Sequence, residues 1–222
     1  MPIRRPQFVN KEIYHVIIRG TGDSLIFKNE SDYYRGIRSL YEFNNSDPVE
    51  IKELRERFSS NRKCWVEILS FCLMPNHIHL LLKQIKDKGI PEFMRKFGAG
   101  YVGYFNKKYN RKGPLFGKFR AVLVQDNFQL KAVFVYIHTN PVSLVESNWK
   151  EKGAINPERA IKFLESYRWS SYSDYLGGKI FPLVIESDFL LGLMGGVKNC
   201  KEFIEDWIKH KKEINFPQLL LE

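Results

Sequence analysis

The segment at residues 64–84 constrains the fold most strongly, because its pattern is that of two β-strands joined by a tight turn. Both halves are rich in branched and aromatic residues, and Pro75-Asn76 between them is a turn-forming pair. A connection this short makes the two strands an antiparallel hairpin. Successive side chains of a strand point to opposite faces. His77 and His79 therefore share one face of the second strand, and Ile78, Leu80 and Leu82 point to the other face, which is expected to be buried.

Two neutral imidazoles on one face of a rigid strand suit a divalent metal ion. The alternative is a pair of ordinary half-buried histidines, because a His-x-His pattern is short enough to arise by chance. A histidine-triad hydrolase would need a third alternating histidine, and position 81 is Leu. A two-histidine phosphoesterase would need a second strand with His-x-Thr or His-x-Ser, whereas His138-Thr139 lies in a predicted helix.

Around this hairpin the sequence predicts the element order β-α-β-β-α-β, followed by a further helix. The predicted strands occupy residues 14–18, 64–73, 77–84 and 119–124. The predicted helices occupy residues 31–43 with Ser31 as N-cap, residues 50–58, residues 91–109, and a segment that Asp126 caps and Pro141 ends. This order is that of a ferredoxin-like α+β fold: a split β-α-β antiparallel sheet with helices on one face and the third strand in its centre.

The chain of 222 residues is long enough for one domain with an appendage. Its pattern changes after residue 145, which predicts a main domain at residues 1–145 and a helical C-terminal extension at residues 146–222. Helices are expected at residues 156–164 and 199–212 of the extension. Three aromatic residues at three-residue spacing are expected to bury against the main domain; they are Trp169, Tyr172 and Tyr175.

Residues 93–125 contain eight cations and no Asp or Glu. A solvated helix face normally mixes the two signs of charge, so this segment favours binding to nucleic acid. The cations would neutralise phosphates, and the interleaved aromatic rings would stack on unpaired bases. The alternative is a solvated helix face over core aromatics. The predicted DNA-binding cations are Arg95, Lys96, Lys107, Lys108, Arg111, Lys112, Lys118 and Arg120; the aromatic residues include Tyr101, Tyr104 and Tyr109.

The overall composition agrees with an anionic partner, because the formal net charge is +10. The three cysteines form no short-spaced pair, which argues against a disulfide scaffold or a zinc ribbon and favours the cytoplasm. The N-terminus has no apolar signal segment, and no apolar run is long enough to cross a bilayer. We therefore expect no membrane partner.

Several short motifs follow one another in a fixed order between residues 8 and 178. They are His15-Val16-Ile17-Ile18-Arg19-Gly20, Met74-Pro75-Asn76-His77-Ile78-His79-Leu80-Leu81, Tyr104-Phe105-Asn106, Gly113-Pro114-Leu115-Phe116 and Tyr136-Ile137-His138-Thr139-Asn140-Pro141. Together they resemble the motifs of the single-tyrosine HUH transposases. The tail motif Arg168-Trp169-Ser170-Ser171-Tyr172 is similar to the branch called REP-associated tyrosine transposases.

The resemblance implies a nuclease and transposase domain at residues 1–145 that acts on single-stranded or hairpin DNA in the cytoplasm, at the nucleoid. It implies that Tyr136 attacks a phosphodiester, giving a 5′-phosphotyrosine and a free 3′-OH that can later be rejoined. His77, His79 and Asn140 would hold the divalent metal, Mg²⁺ or Mn²⁺. Two alternatives stay open: a non-catalytic or domesticated nucleic-acid-binding protein on the same fold, and a homodimer in which the tyrosine serves the partner's site.

Overall fold

A computed structural model describes residues 7–47 and 62–210 of the protein. The helix expected over residues 50–58 lies outside these ranges. Four antiparallel strands form one sheet in the order β2-β3-β1-β4. The strands are β1 (Ile13–Arg19), β2 (Val66–Met74), β3 (His77–Gln84) and β4 (Arg120–Leu123). The ferredoxin-like α+β prediction is confirmed, and β3 lies between two neighbours as expected.

The helices follow the predicted order along the chain. They are α1 (Glu30–Phe43), α2 (Gly89–Lys108), α3 (Asn127–Thr139), α4 (Trp149–Lys152), α5 (Pro157–Ser166), α6 (Tyr172–Tyr175), α7 (Asp188–Met194) and α8 (Val197–Lys209), with short 3₁₀ helices at Thr21–Asp23 and Asn140–Leu144. Among these helices, none combines the length and hydropathy that a membrane span requires.

Polar side chains fix the starts of α1 and α3. Asn29, and not Ser31 as predicted, caps α1, because the helix already begins at Glu30. The Oδ1 atom of Asn29 accepts from the N–H of Asp32 at 3.3 Å. Asp126 caps α3 as predicted, and its Oδ1 accepts from the backbone N–H three residues on at 2.7 Å. The cap sets the first residue of the helix that carries Tyr136.

The register of β1 against β3 defines a histidine face of the sheet. Ile17 pairs with His79 and Arg19 pairs with His77. Paired residues on antiparallel strands point to the same side, so these four side chains and His15 share one face. His15 and His79 are buried although this face carries polar groups. Another layer therefore has to cover it.

Helices pack on both sides of the sheet, whereas the prediction placed those of the main domain on one face. On the face opposite the histidines, α1 approaches so closely that a Cβ atom added at Gly36 would lie 3.2 Å from Leu73 Cδ1. Helix α2 packs beside α1 and also contacts β2 and β3. These are the two helices that a split β-α-β sheet places on one face. Helix α3 lies against the histidine face, where Tyr136 contacts two of the histidine rings.

Part of the C-terminal extension covers the edge strand β2. The N–H of Leu73 donates to the carbonyl of Trp169 at 2.9 Å, and the N–H of Ser171 donates to the carbonyl of Phe71 at 3.0 Å. These bonds occupy backbone groups that an open strand edge would leave unpaired. The aromatic residues of the extension bury as predicted, at 8% exposure or less; they are Trp169, Tyr172 and Tyr175. The tail motif thus has a structural role beside β2.

A bulge in β2 explains the position of Tyr175. Ile68 pairs with Leu82 while Ser70 pairs with Leu81, so the register skips Leu69. The hydroxyl of Tyr175 donates to the Leu69 carbonyl, and the ring is 0% exposed. The extension therefore satisfies the carbonyl of the one residue that the β2–β3 ladder passes over.

Tyr175→Phe is expected to lower the free energy of unfolding by about 1–3 kcal/mol, because it leaves the buried Leu69 carbonyl without its donor. Urea unfolding of the full chain measures this. Tyr34→Phe is the control, since the Tyr34 side chain is 43% exposed, and its effect should stay within about 0.5 kcal/mol. Equal stabilities for the two variants would show that the Tyr175 hydroxyl does not hold the bulge.

Candidate active site and metal centre

Three imidazole rings meet on the histidine face, two from β3 and one from β1. The ring centroids of His77 and His79 are 4.8 Å apart. The rings of His15 and His79 are nearly parallel, with centroids 5.3 Å apart. His77 is half-buried, and the other two are buried. The shared face predicted for His77 and His79 is observed, and the structure adds His15 beside them.

A hydrogen bond of 3.1 Å joins His15 Nε2 to His79 Nδ1. Burial lowers the pKa of His15 to about 3. Burial also holds the pKa of His79 well below its usual range, with smaller contributions from the neighbouring imidazoles and from the charges of Lys150 and Arg19. Both rings are therefore neutral at pH 7, the form that binds metal ions. His79 Nε2 is buried and has no hydrogen-bond partner within the described ranges.

The tautomer of His77 follows from its neighbour. His77 Nδ1 lies 2.6 Å from Asn76 Oδ1. An amide oxygen only accepts, so Nδ1 of the neutral ring carries the proton and Nε2 carries the lone pair. The Nε2 atom of His77 can thus accept a ligand, and that of His79 can do so when His79 Nδ1–H donates to His15 Nε2.

Helix α3 places Tyr136 against the same rings. Its ring centroid lies 5.4 Å from that of His79 and 5.8 Å from that of His15, nearly perpendicular to both. Lys150 Nζ lies 3.4 Å from Tyr136 Oη and 5.0 Å from the ring centroid. Tyr136 is 4% exposed, whereas Lys150 is half-buried. A single chain therefore brings a phenolic oxygen, a cation and the histidine pair together.

Asn140 lies one helical turn after Tyr136, at the end of α3. Its Nδ2 atom donates to the Tyr136 carbonyl at 3.0 Å, which is a helix-end contact. Its Oδ1 atom is buried without a hydrogen-bond partner in the part of the chain that the structure describes. A buried amide oxygen normally has a partner, so this atom stands ready to accept one.

The donor atoms of this region fit a divalent ion that keeps open coordination positions. Imidazole nitrogen is a ligand for transition-metal ions, whereas amide, water and phosphate oxygens suit Mg²⁺ and Mn²⁺. Within residues 7–47 and 62–210, no group of three or more His, Cys, Asp or Glu side chains is arranged to hold a metal ion. A metal here would therefore depend on the two strand histidines, on Asn140, and on oxygen atoms from water or DNA.

The predicted DNA-binding cations fall into two groups. Arg95 and Lys96 lie in the first half of α2, where Arg95 pairs with Glu92 at 2.8 Å and Lys96 Nζ donates to the Asn45 carbonyl at 2.7 Å. The second group begins about 16 Å further along the helix axis, at 1.5 Å per residue. It consists of Lys107, Lys108, Arg111, Lys112, Lys118 and Arg120.

The second group lies toward the His77 end of the sheet. The N–H of Gly117 donates to the carbonyl of Arg19, and Arg19 pairs with His77. Lys108 forms an ion pair with the buried Asp32, because its Nζ lies 2.6 Å from a carboxylate oxygen of that residue. Four further cations of this group have exposed side chains; they are Lys107, Lys112, Lys118 and Arg120. This group therefore places exposed positive charge near the His77 end of the sheet.

The interleaved tyrosines do not form one stacking surface. Tyr101 is 0% exposed, and its hydroxyl donates to the Ile26 carbonyl at 2.6 Å. Its predicted contact with DNA is wrong, because α2 turns this ring into the core. Tyr104 and Tyr109 are half-buried, with hydroxyls 2.9 Å and 2.7 Å from the Asp32 carboxylate.

Sequence reasoning missed His15 and Lys150. His15 lies in a predicted strand, and its alternation with Tyr14 and Val16 puts it on a polar face; the sequence signal was therefore present. Lys150 lies among other charged residues and carries no local signal. Only the packing of α4 against α3 brings it to Tyr136.

Three solved structures are similar to this chain at low sequence identity. The first is a REP-associated tyrosine transposase bound to a REP hairpin. It has a TM-score of 0.49 and 14% identity, and the match covers 85% of this chain and 93% of that chain. A bacterial tRNA(His) guanylyltransferase-like protein in complex with ATP has a TM-score of 0.39 and 12% identity, over 73% of this chain and 72% of that chain. The tRNA(His) guanylyltransferase of Saccharomyces cerevisiae has a TM-score of 0.34 and 15% identity, over 72% and 74%. Likenesses this distant do not bear on function.

No curated protein matches the chain. The family model described as "Transposase IS200 like" matches residues 13–140, more than half of the 222 residues. The matched range contains the whole sheet, helices α1 to α3, the three histidines and Tyr136. The chain belongs to the IS200-like transposase family.

Proposed function

We propose that the protein cuts and rejoins single-stranded or hairpin DNA, with Tyr136 as the nucleophile and a divalent Mg²⁺ or Mn²⁺ ion held by His77, His79 and Asn140. The observation that carries the proposal is the contact of the Tyr136 ring with His79, 5.4 Å between centroids. Membership of a transposase family supplies the class of reaction. Because one chain brings Tyr136 to His79, the proposal needs no second protomer.

The chemistry assigned to Tyr136 is a transfer of a phosphoryl group. The phenolic oxygen forms a bond to the scissile phosphorus while the bond from phosphorus to the 3′ oxygen breaks. The electron pair of the broken bond leaves with the 3′ oxygen, which takes a proton, and the phenolic proton is lost. The products are a 5′-phosphotyrosine and a free 3′-OH. A later 3′-OH reverses the same steps and rejoins the strand.

The residues around Tyr136 have separate roles in this proposal. The His77 and His79 Nε2 atoms and the Asn140 Oδ1 atom would hold the metal ion. When bound, the divalent ion would act as a Lewis acid on the scissile phosphate. His15 holds His79 Nδ1, and a partner of this kind fixes the tautomer and orientation of a ligating histidine.

The proposed substrate class is an imperfect palindrome that folds into a hairpin. The tail motif at residues 168–172 and its resemblance to REP-associated tyrosine transposases favour this branch of the family. The test uses hairpins from repeats that flank the protein's own gene. Full-length protein with Mn²⁺ is expected to give a covalent protein–DNA band on a denaturing gel, and random single strands are expected to give little.

A second candidate function is DNA binding without cleavage, and the burial of the site favours it. Tyr136 is 4% exposed and Asn140 is 1% exposed, so little of either residue is open to a DNA phosphate. The gel experiment separates the two candidates. Tight hairpin binding without any covalent band, across hairpins from all flanking repeats, would favour the binding protein.

DNA binding should depend steeply on salt, because the exposed cations release counterions from the phosphates. Neutralising about six phosphates of a single strand gives a slope of log Kd against log salt of roughly 4 to 5. Lys112→Ala is expected to lower that slope by about 0.7, the contribution of one phosphate contact. Titrations of a fluorescent hairpin between low and moderate salt measure the slope.

The matched comparison variant is Arg95→Ala, at the other end of α2. Arg95 already pairs with Glu92, so its replacement should change the slope less than that of Lys112. Equal changes would extend the DNA-binding surface along the whole helix. An affinity that ignores salt, or a preference for blunt random duplex over hairpins, would contradict the assigned surface.

A further inference from the structure

We infer that Lys150 is a catalytic residue of the C-terminal extension, whose ammonium group holds the Tyr136 hydroxyl and stabilises the negative charge that develops on that oxygen. The inference rests on the proposed DNA cleavage and extends it. Lys150 lies ten residues beyond the last residue that the family model matches. Part of the proposed reaction would thus depend on a segment outside the matched residues 13–140.

The backbone holds Lys150 in place on a short, anchored helix. After α3 the chain continues as the 3₁₀ helix Asn140–Leu144 and turns back toward the sheet. Trp149, directly before Lys150, is 2% exposed and anchors α4 in the core. Gly153 ends the helix with φ of +73°, a conformation that favours glycine. The lysine therefore extends from a fixed point and not from a loose tail.

The contact of Lys150 with Tyr136 involves the reacting atom itself. The Nζ atom lies 3.4 Å from Oη and 5.0 Å from the ring centroid. The tyrosine ring also packs edge-to-face against His15 from β1 and His79 from β3. Both of these imidazoles are neutral. Of these groups Lys150 is the one that is partly exposed, so it stands where a phosphate would approach the hydroxyl.

An ammonium at this position acts on both halves of the proposed reaction. In cleavage, Nζ–H donates to the phenolic oxygen as that oxygen forms its bond to phosphorus. In rejoining, the same oxygen leaves phosphorus with the electron pair, and the ammonium stabilises the charge it carries. Lys150 keeps its protons in both directions, so the balance of atoms and electrons is that of the tyrosine reaction alone. A donor aimed at developing charge in a desolvated site commonly contributes 10²- to 10³-fold in rate.

The alternative is a lysine that only packs on a tyrosine ring. Cation–π contacts of this kind occur in many proteins and need no function. A packing role predicts a change in stability or in DNA affinity, without a selective change in the rate of the chemical step.

The test compares single-turnover cleavage of a flanking-repeat hairpin with equilibrium binding of the same hairpin, for the full-length protein with Mn²⁺. Lys150→Met is expected to slow cleavage by about 10²- to 10³-fold and to change hairpin affinity far less. Rejoining, started from the isolated covalent adduct and a 3′-OH strand, should slow by a similar factor. Lys150→Arg keeps the charge and is expected to restore a large part of both rates.

Lys152→Met is the control, because Lys152 lies on the same helix with an exposed side chain and should leave both rates unchanged. Lys150→Gln provides a second neutral variant if the methionine variant folds poorly. Cleavage by the folded neutral variants at the wild-type rate, or a loss of rate that only follows a loss of binding, would overturn the inference. Wild-type protein that forms no adduct would instead overturn the proposed function, and the inference with it.

Discussion

Tyr136→Phe is expected to abolish the covalent protein–DNA adduct, with a fall in cleavage rate of more than about 10³-fold, as for the loss of other enzyme nucleophiles. The substitution removes one oxygen atom and keeps the ring that packs on His15 and His79. Its contact with Lys150 Nζ, which the substitution removes, is long and partly exposed. Hairpin affinity and thermal stability should therefore remain close to those of the wild type.

Other tyrosines provide the controls for this result. Tyr104→Phe and Tyr109→Phe should both keep cleavage, because their hydroxyls bond to Asp32 at the start of α1. Tyr101→Phe should also keep cleavage but lower stability, since its buried hydroxyl donates to the Ile26 carbonyl. An adduct formed by Tyr136→Phe, or lost in one of the other three while they remain folded, would identify a different nucleophile.

The sheet could be predicted from the sequence because its signals are local. Alternation in β3 fixes which residues share a face without any knowledge of the neighbouring strands. The turn at Pro75-Asn76 then sets the antiparallel pairing of β2 with β3, and Asp126 marks the start of α3. These features depend on residues close together in the chain, and they set the shared face of His77 and His79 and the start of the helix that carries Tyr136.

The rest of the site depends on contacts between distant parts of the chain. His15 meets His79 only through the β1–β3 register, over 64 residues of sequence. Lys150 meets Tyr136 only because α4 packs back after the turn that follows α3. The burial of Tyr101 was not evident either, because a tyrosine in a basic helix can face DNA or the core. The packing of α1 against α2 determines that the Tyr101 ring faces the core.

The second large effect is expected in metal binding, where His77→Ala should abolish the stabilisation that Mn²⁺ gives to the wild-type protein. A ligand at one hundred times its Kd raises the free energy of unfolding by about 2.7 kcal/mol. His77 is half-buried and its Nδ1 contacts the adjacent Asn76 side chain. Its replacement should thus change the stability of the metal-free protein by less than about 1 kcal/mol. The measurement is thermal unfolding with and without Mn²⁺, supported by titration calorimetry.

His138→Ala is the matched control, because it should lower the stability of the metal-free protein and leave the stabilisation by Mn²⁺ unchanged. His138 is buried on α3, and its Nε2 atom lies 2.8 Å from Ser171 Oγ, so it ties the helix to the segment that covers β2. Its loss should cost about 1–3 kcal/mol of stability while the shift caused by Mn²⁺ persists. His79→Ala is less informative, since it also leaves His15 Nε2 without its partner. If His77→Ala kept the Mn²⁺ shift while His138→Ala lost it, the metal would bind elsewhere, and the shared face of His77 and His79 would be ordinary packing.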